Sequence, residues 1–166
     1  MNDALYEHLV ARKPRPHDLI IRIVAVLFVA AVVIIGFPLI GTFSVIIALI
    51  LGFLVYTFLF RRLNVEYEYT VLNHDMDVDV IYSREKRKKV LNFDLQQAEI
   101  IAPKGSPRLR SYNPQVTHDY TSQEANAKAY AIMMPMDGKN VCILIEPDEG
   151  LIQHIKPWMG SKLYLD

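Results

Sequence analysis

IVAVLFVAAVVIIGFPLIGTFSVIIALILGFLVYTFLF, residues 23–60, decides the fold. These 38 residues contain no Asp, Glu, Lys, Arg or His. As one helix they would extend about 57 Å, roughly twice the ~30 Å hydrocarbon core of a bilayer. Gly36, Pro38 and Gly41 interrupt the middle, where a residue without a backbone donor and two glycines favour a reversal. The stretch therefore reads as two spans, residues 19–37 and 42–60, joined by a very short turn. Each has about 19 residues, close to the ~20 that cross a membrane. Neither has a polar face, which argues against a buried hairpin of a soluble protein.

Charge sets the expected topology. Arg12, Lys13, Arg15 and Arg22 precede or begin the first span, Arg61 and Arg62 end the second, and the turn is uncharged. By the positive-inside rule both flanks, and both termini, are cytoplasmic. The chain then divides into a cytoplasmic segment (1–18), a transmembrane hairpin (19–62) and a cytoplasmic domain (63–166) of a cell-membrane protein. Residues 1–16 could form one or two helical turns, with Leu5, Leu9 and Arg12 spaced for one face and Pro14 and Pro16 ending it. In the second span Ser44, Ala48 and Gly52 recur every four residues, a small stripe that lets another backbone approach closely. The partner is the first span or, in a homo-oligomer, a second copy.

After Arg62 the period changes from helix to strand. Val65, Tyr67, Tyr69 and Val71 alternate with polar residues, as do Met76, Val78, Val80 and Tyr82. A turn at Asn73-His74 sets Tyr69 opposite Val78 and Tyr67 opposite Val80, so apolar residues meet. A second reversal at residues 84–87 leads into a strand with Leu91, Phe93 and Leu95 inward. Residues 98–102 and 116–121 read as further strands, and Asp137-Gly138 joins a hairpin of residues 130–136 and 140–145. Residues 141–145 (VCILI) are continuously apolar, as a central strand requires. Asp148 is placed to cap a closing helix with Leu151, Ile152, Ile155 and Trp158 on one face.

About seven antiparallel strands followed by one amphipathic helix is the order of a PH-like, partly open β-barrel. The chain also resembles an uncharacterised Firmicutes family of two-span membrane proteins. The strings that carry the resemblance are MNDALYEHLVARK at the start, NVEYEYTVLN (64–73), SREKRKK (83–89) and the closing run from AYAIMMPMDG to HIKPWM (129–159). The resemblance implies a membrane hairpin with a bacterial PH-like domain. It implies no activity, cofactor or ligand.

The chemistry-bearing residues are sparse. Five histidines show no ligand spacing, the single Cys142 excludes a Cys-based zinc site, and no phosphate loop or nucleophile motif occurs. The reading is therefore non-enzymatic, with no catalytic, cofactor or metal residues. Up to Arg62 six basic residues stand against three acidic, and after it 12 against 15, so the domain has no global attraction for nucleic acid. One dense cluster remains, Arg84, Lys86, Arg87, Lys88 and Lys89, suited to anionic lipid headgroups at about 1 kcal/mol per basic residue. Glu66, Glu68, Asp77 and Asp79 share one face of the first β-hairpin and are expected to splay into water beside Lys88 and Lys89. The leading expectation is a membrane-tethered module for a protein or anionic lipid. Alternatives are an assembly subunit packing through its hairpin and, more weakly, a small metal-dependent membrane enzyme using the acidic face.

Overall fold

The computed structural model describes residues 5–165, which fall into two compact units. The helical unit comprises Pro14–Val65 with Tyr82–Glu85. Its first helix, α1 (Pro16–Ile40), begins with proline at a position whose N–H would be unsatisfied anyway. The Asp18 carboxylate accepts from the Arg15 backbone N–H at 2.9 Å. The second helix, α2 (Phe43–Leu63), contains a π-helical stretch at Val55–Phe60. Both are long and apolar enough to cross a membrane, at 25 and 21 residues. The reversal falls at Gly41-Thr42, with Gly41 at φ +59°, and Pro38 lies inside α1. So near a helix end, proline removes only one intrahelical bond, and the Gly41 N–H closes the last turn onto the Phe37 carbonyl.

The second unit comprises Met1–Lys13, Glu66–Ile81 and Lys86–Asp166. Its first sheet has the order β1-β2-β3-β4: β1 (Leu5–Ala11), β2 (Val65–Leu72), β3 (Asp75–Tyr82) and β4 (Lys86–Asp94). The two-residue turn at Asn73-His74 is as the alternation requires, with Asn73 at φ +58°. β1 corrects the helical reading of the N-terminal residues; residues 1–4 lie outside the described part. Period two wins over period four here. Tyr6, His8 and Val10 turn inward opposite Val71, Tyr69 and Tyr67, while Leu5 and Leu9 stay about half exposed. The open edge of β2 offers a row of backbone partners that an isolated turn of helix cannot match.

The second sheet has the order β5-β7-β8-β6, from β5 (Ile100–Pro103), β6 (Val116–Asp119), β7 (Tyr130–Met136) and β8 (Lys139–Ile145). Among the described residues there are eight strands where the sequence suggested about seven. One pairing, β6 with β8, is parallel. Asp137 and Gly138, both at positive φ, make the tight β7–β8 turn. β8 lies between β7 and β6, and both its faces are covered, which explains its unbroken apolar run. Ile143 and Ile145 are fully buried. Cys142 and Leu144 pack with Ile100, Ala102, Ala131 and Met133 under Leu109, Tyr112 and Tyr164.

The last helix, α3 (Glu149–Met159), buries Leu151, Ile155 and Met159. Asp148 caps it, accepting from the Leu151 N–H at 2.8 Å. The Tyr6 hydroxyl donates to the other oxygen of the same carboxylate at 2.7 Å. Gly150 leaves room for that ring: a Cβ there would stand 2.0 Å from the Tyr6 hydroxyl. Eight strands in two open sheets with a closing helix form the PH-like arrangement that the order of elements implies.

Candidate membrane interface

The end of α2 and the β3–β4 tip are held together by hydrogen bonds of known geometry. Ser83 donates its N–H to the Asn64 carbonyl at 2.9 Å and its hydroxyl to the Arg61 carbonyl at 3.0 Å. The Arg61 guanidinium meets Glu85 through two contacts of 2.8 and 2.9 Å, the forked pairing that fixes orientation as well as charge. Ser83 and Arg84 both adopt left-handed backbone, φ +49° and +59°, which folds the tip tightly. The last residues of an apolar helix of membrane length thus carry the tip of the basic hairpin.

The basic residues divide by strand alternation. Arg87 pairs with Glu68 and lies 3.8 Å from Asp79; Lys89 pairs with Asp77 at 2.5 Å. Asn92 adds a donor to Asp77 at 2.6 Å. Partial burial raises the Asp77 pKa, but the Lys89 and Asn92 bonds outweigh it, and the carboxyl lies below its ordinary range. The bond to Asp77 in turn raises the Lys89 ammonium. Lys86 and Lys88 point the other way; both are exposed and unpaired among the described residues. Arg84 is exposed at the tip itself.

The acidic face differs from its expected solvation. Glu68 and Asp79 are buried, at 7% and 6% exposure. Carboxylates on adjacent strands repel, and Arg87 is what offsets them. The sequence shows both sets of charges, but β4 must lie beside β3 before the pairing can be seen.

In the hairpin, Ser44 and Ala48 are the buried residues of the first part of α2. Gly36, which the stripe did not include, sits against Ser44: a Cβ at Gly36 would fall 2.8 Å from the Ser44 Cβ. The Ser44 hydroxyl is satisfied locally by the Gly41 carbonyl at 2.8 Å. Gly52 is half-buried with open space where a Cβ would lie, so the close approach stops before it.

Sequence spacing also missed a group formed across a turn. His74 Nδ1 lies 3.0 Å from Asp94 and 3.7 Å from Asp75, and these three could together offer ligand atoms to a metal ion. His74 and Asp94 are 20 residues apart, so no local motif marks them. Asp94 also accepts from the Gln96 N–H, and the His74 ring stands edge-on to Trp158 at 5.6 Å.

Residues 2–165 match a family model described as Bacterial PH-like domain (DUF6106). No curated protein and no solved structure matches the chain. A match over nearly the whole length, strands and apolar helices included, places this chain in that family of bacterial PH-like domain proteins.

Proposed function

We propose that this protein is a non-enzymatic PH-like module anchored by its own hairpin at the cytoplasmic face of the cell membrane. Its basic tip rests on anionic headgroups of the bilayer that holds it. The carrying observation is the tie between Ser83, Glu85 and the end of α2, because it fixes the tip at the level where the apolar helix ends. Lys86 and Lys88 are the side chains left to meet phosphates, while Arg87 and Lys89 are engaged by sheet carboxylates. Two such residues supply on the order of 2 kcal/mol, enough to orient a domain already tethered.

The pairing of β1 with β2 supports a two-pass topology. These strands precede and follow the hairpin yet lie side by side, which supports a reading in which both flanks share one side of the membrane. The excess of Arg and Lys on those flanks favours the cytoplasm as that side.

The test uses the full chain in nanodiscs of phosphatidylcholine alone or enriched in phosphatidylglycerol. The anionic lipid should raise the thermal midpoint at low salt, and the gain should fade with added salt. Lys86→Ser with Lys88→Ser should abolish the gain without lowering stability in neutral lipid. A gain that persists in the double variant, or no gain at low salt, contradicts the proposal.

A further inference from the structure

Three side chains of ligand type meet at one corner of the β unit. His74 closes the β2–β3 turn, Asp75 opens β3 and Asp94 ends β4. Nδ1 of His74 lies 3.0 Å from an Asp94 oxygen and 3.7 Å from an Asp75 oxygen. One such atom from each residue falls within 4.8 Å of the other two. The corner is held from behind. The Leu95 N–H donates to the His74 carbonyl at 2.8 Å, and the Leu95 side chain is fully buried. The Trp158 ring stands edge-on to the imidazole at 5.6 Å, and the Gln96 N–H donates to Asp94 at 2.8 Å.

Two carboxylates thus converge on one ring nitrogen, and a single proton does not serve both. In either charge state of the ring Nδ1 carries at most one hydrogen. Donated to Asp94, it leaves Asp75 facing the same atom without a donor. Among the described residues no Lys or Arg pairs with either carboxylate. Lys162 reaches this corner, but its ammonium donates to the Gln96 carbonyl at 2.8 Å. A divalent cation between the three residues resolves both mismatches: it takes the place of the contested proton and balances the two negative charges.

We propose that His74, Asp75 and Asp94 bind one divalent transition-metal ion of the zinc type, which pins the β2–β3 turn to the end of β4. The imidazole sets the class of ion, since Mg²⁺ and Ca²⁺ take oxygen ligands whereas zinc accepts nitrogen and carboxylate together. With ligand distances of about 2.1 Å, the two measured separations subtend about 90° and about 125° at the ion, on either side of the tetrahedral angle. His74 and Asp75 are partly open to solvent, so water completes the coordination. All three residues belong to the β unit, and the site is independent of headgroup contact by Lys86 and Lys88.

Trp158 is the single tryptophan of the chain, so its fluorescence reports on this corner. The full chain in mild detergent, freed of metal by a chelator, is titrated with Co²⁺, which occupies zinc sites and quenches nearby indole emission. Quenching should saturate at a single equivalent in the micromolar range. Zn²⁺ should displace the cobalt and restore emission, whereas millimolar Mg²⁺ should not. Zn²⁺ should also raise the thermal midpoint, because the ion binds only the folded arrangement. Asp75→Asn and Asp94→Asn each keep the side chain's size, and the second keeps an oxygen for the Gln96 N–H. Each should weaken binding by about tenfold or more and remove the thermal gain. Should one of them unfold without metal, the other decides. His8→Gln alters another His–carboxylate contact, with Asp148 at 3.5 Å, and should leave cobalt binding unchanged. No quenching below millimolar Co²⁺, equal competition by Mg²⁺, or binding indifferent to the Asp75 and Asp94 substitutions overturns the proposal. Loss of binding in His8→Gln also overturns it, by moving the ion to the other pair.

Discussion

The Tyr6 hydroxyl donates a 2.7 Å hydrogen bond to Asp148, so a strand that precedes the hairpin is fastened to the cap of the last helix. The contact spans 142 positions of sequence and joins the two chain segments of the β unit that flank the apolar hairpin in sequence. It also makes the N-terminal strand part of the domain. A truncated chain beginning at Leu63 would leave the β2 edge open and Asp148 without its phenol.

Gly150 should tolerate no side chain while Tyr6 is present. Gly150→Ala forces the Tyr6 ring away and should cost about 1–3 kcal/mol in denaturant unfolding of the full chain. In a Tyr6→Ala background the same change should cost far less, giving a strongly non-additive double-mutant cycle. Additive effects would mean that the two residues do not press on each other.

Acid should loosen the same contact. Partial burial raises the Asp148 pKa, but the Tyr6 hydroxyl, the Leu151 N–H and the nearby His8 outweigh it, leaving it below its ordinary 3.8. A carboxyl depressed in the folded state contributes stability above its unfolded pKa and loses it as pH falls through the folded value. Asp77 shifts in the same direction. Unfolding midpoints should therefore fall below about pH 4, and less so in Asp148→Asn, whose neutral side chain does not titrate. Tyr6 shifts up, chiefly through its bond to Asp148, so its contribution persists below about pH 10 and fades above.

Arg87→Ala should destabilise the β unit by about 2 kcal/mol, because it leaves Glu68 and Asp79 buried without their cation. Glu68→Gln together with Asp79→Asn in that background should recover most of the loss. Denaturant titration in detergent gives both values. A loss that neutralisation fails to recover would assign Arg87 a packing role instead.

The hairpin makes a prediction with an internal control. Gly36→Ala brings a methyl within 2.8 Å of the Ser44 Cβ and should lower helix-pair stability by about 1–3 kcal/mol. Gly52→Ala meets nothing within 4 Å and should be neutral or slightly stabilising. Steric trapping or thermal scans in bilayers distinguish the two positions.

Local patterns were legible where partners lie close in sequence. The alternation around Asn73-His74, the Asp137-Gly138 turn and the Asp148 cap are each decided within about twenty residues, and the uncharged run is one unbroken stretch of 38. The N-terminal strand was not, since Leu5, Leu9 and Arg12 fit a helix and its partner strand lies about sixty positions on. The turn expected over residues 38–41 narrowed to Gly41-Thr42 because a proline near a helix end is cheap to accommodate. Arg87 with Glu68, and His74 with Asp94, are juxtapositions of adjacent strands and turns that no spacing encodes. The five basic residues were visible as a cluster, but only strand alternation sorts Lys86 and Lys88 from Arg87 and Lys89.

Headgroup proximity is the most direct test of the central claim. A fluorophore placed by Lys88→Cys, in a Cys142→Ser background, would report on the full chain in nanodiscs carrying a quencher on the lipid headgroup. The account predicts strong headgroup quenching that increases with phosphatidylglycerol, decreases with salt, and is accompanied by protection from aqueous iodide. Free quenching by iodide with no headgroup quenching, whatever the lipid charge, would contradict it.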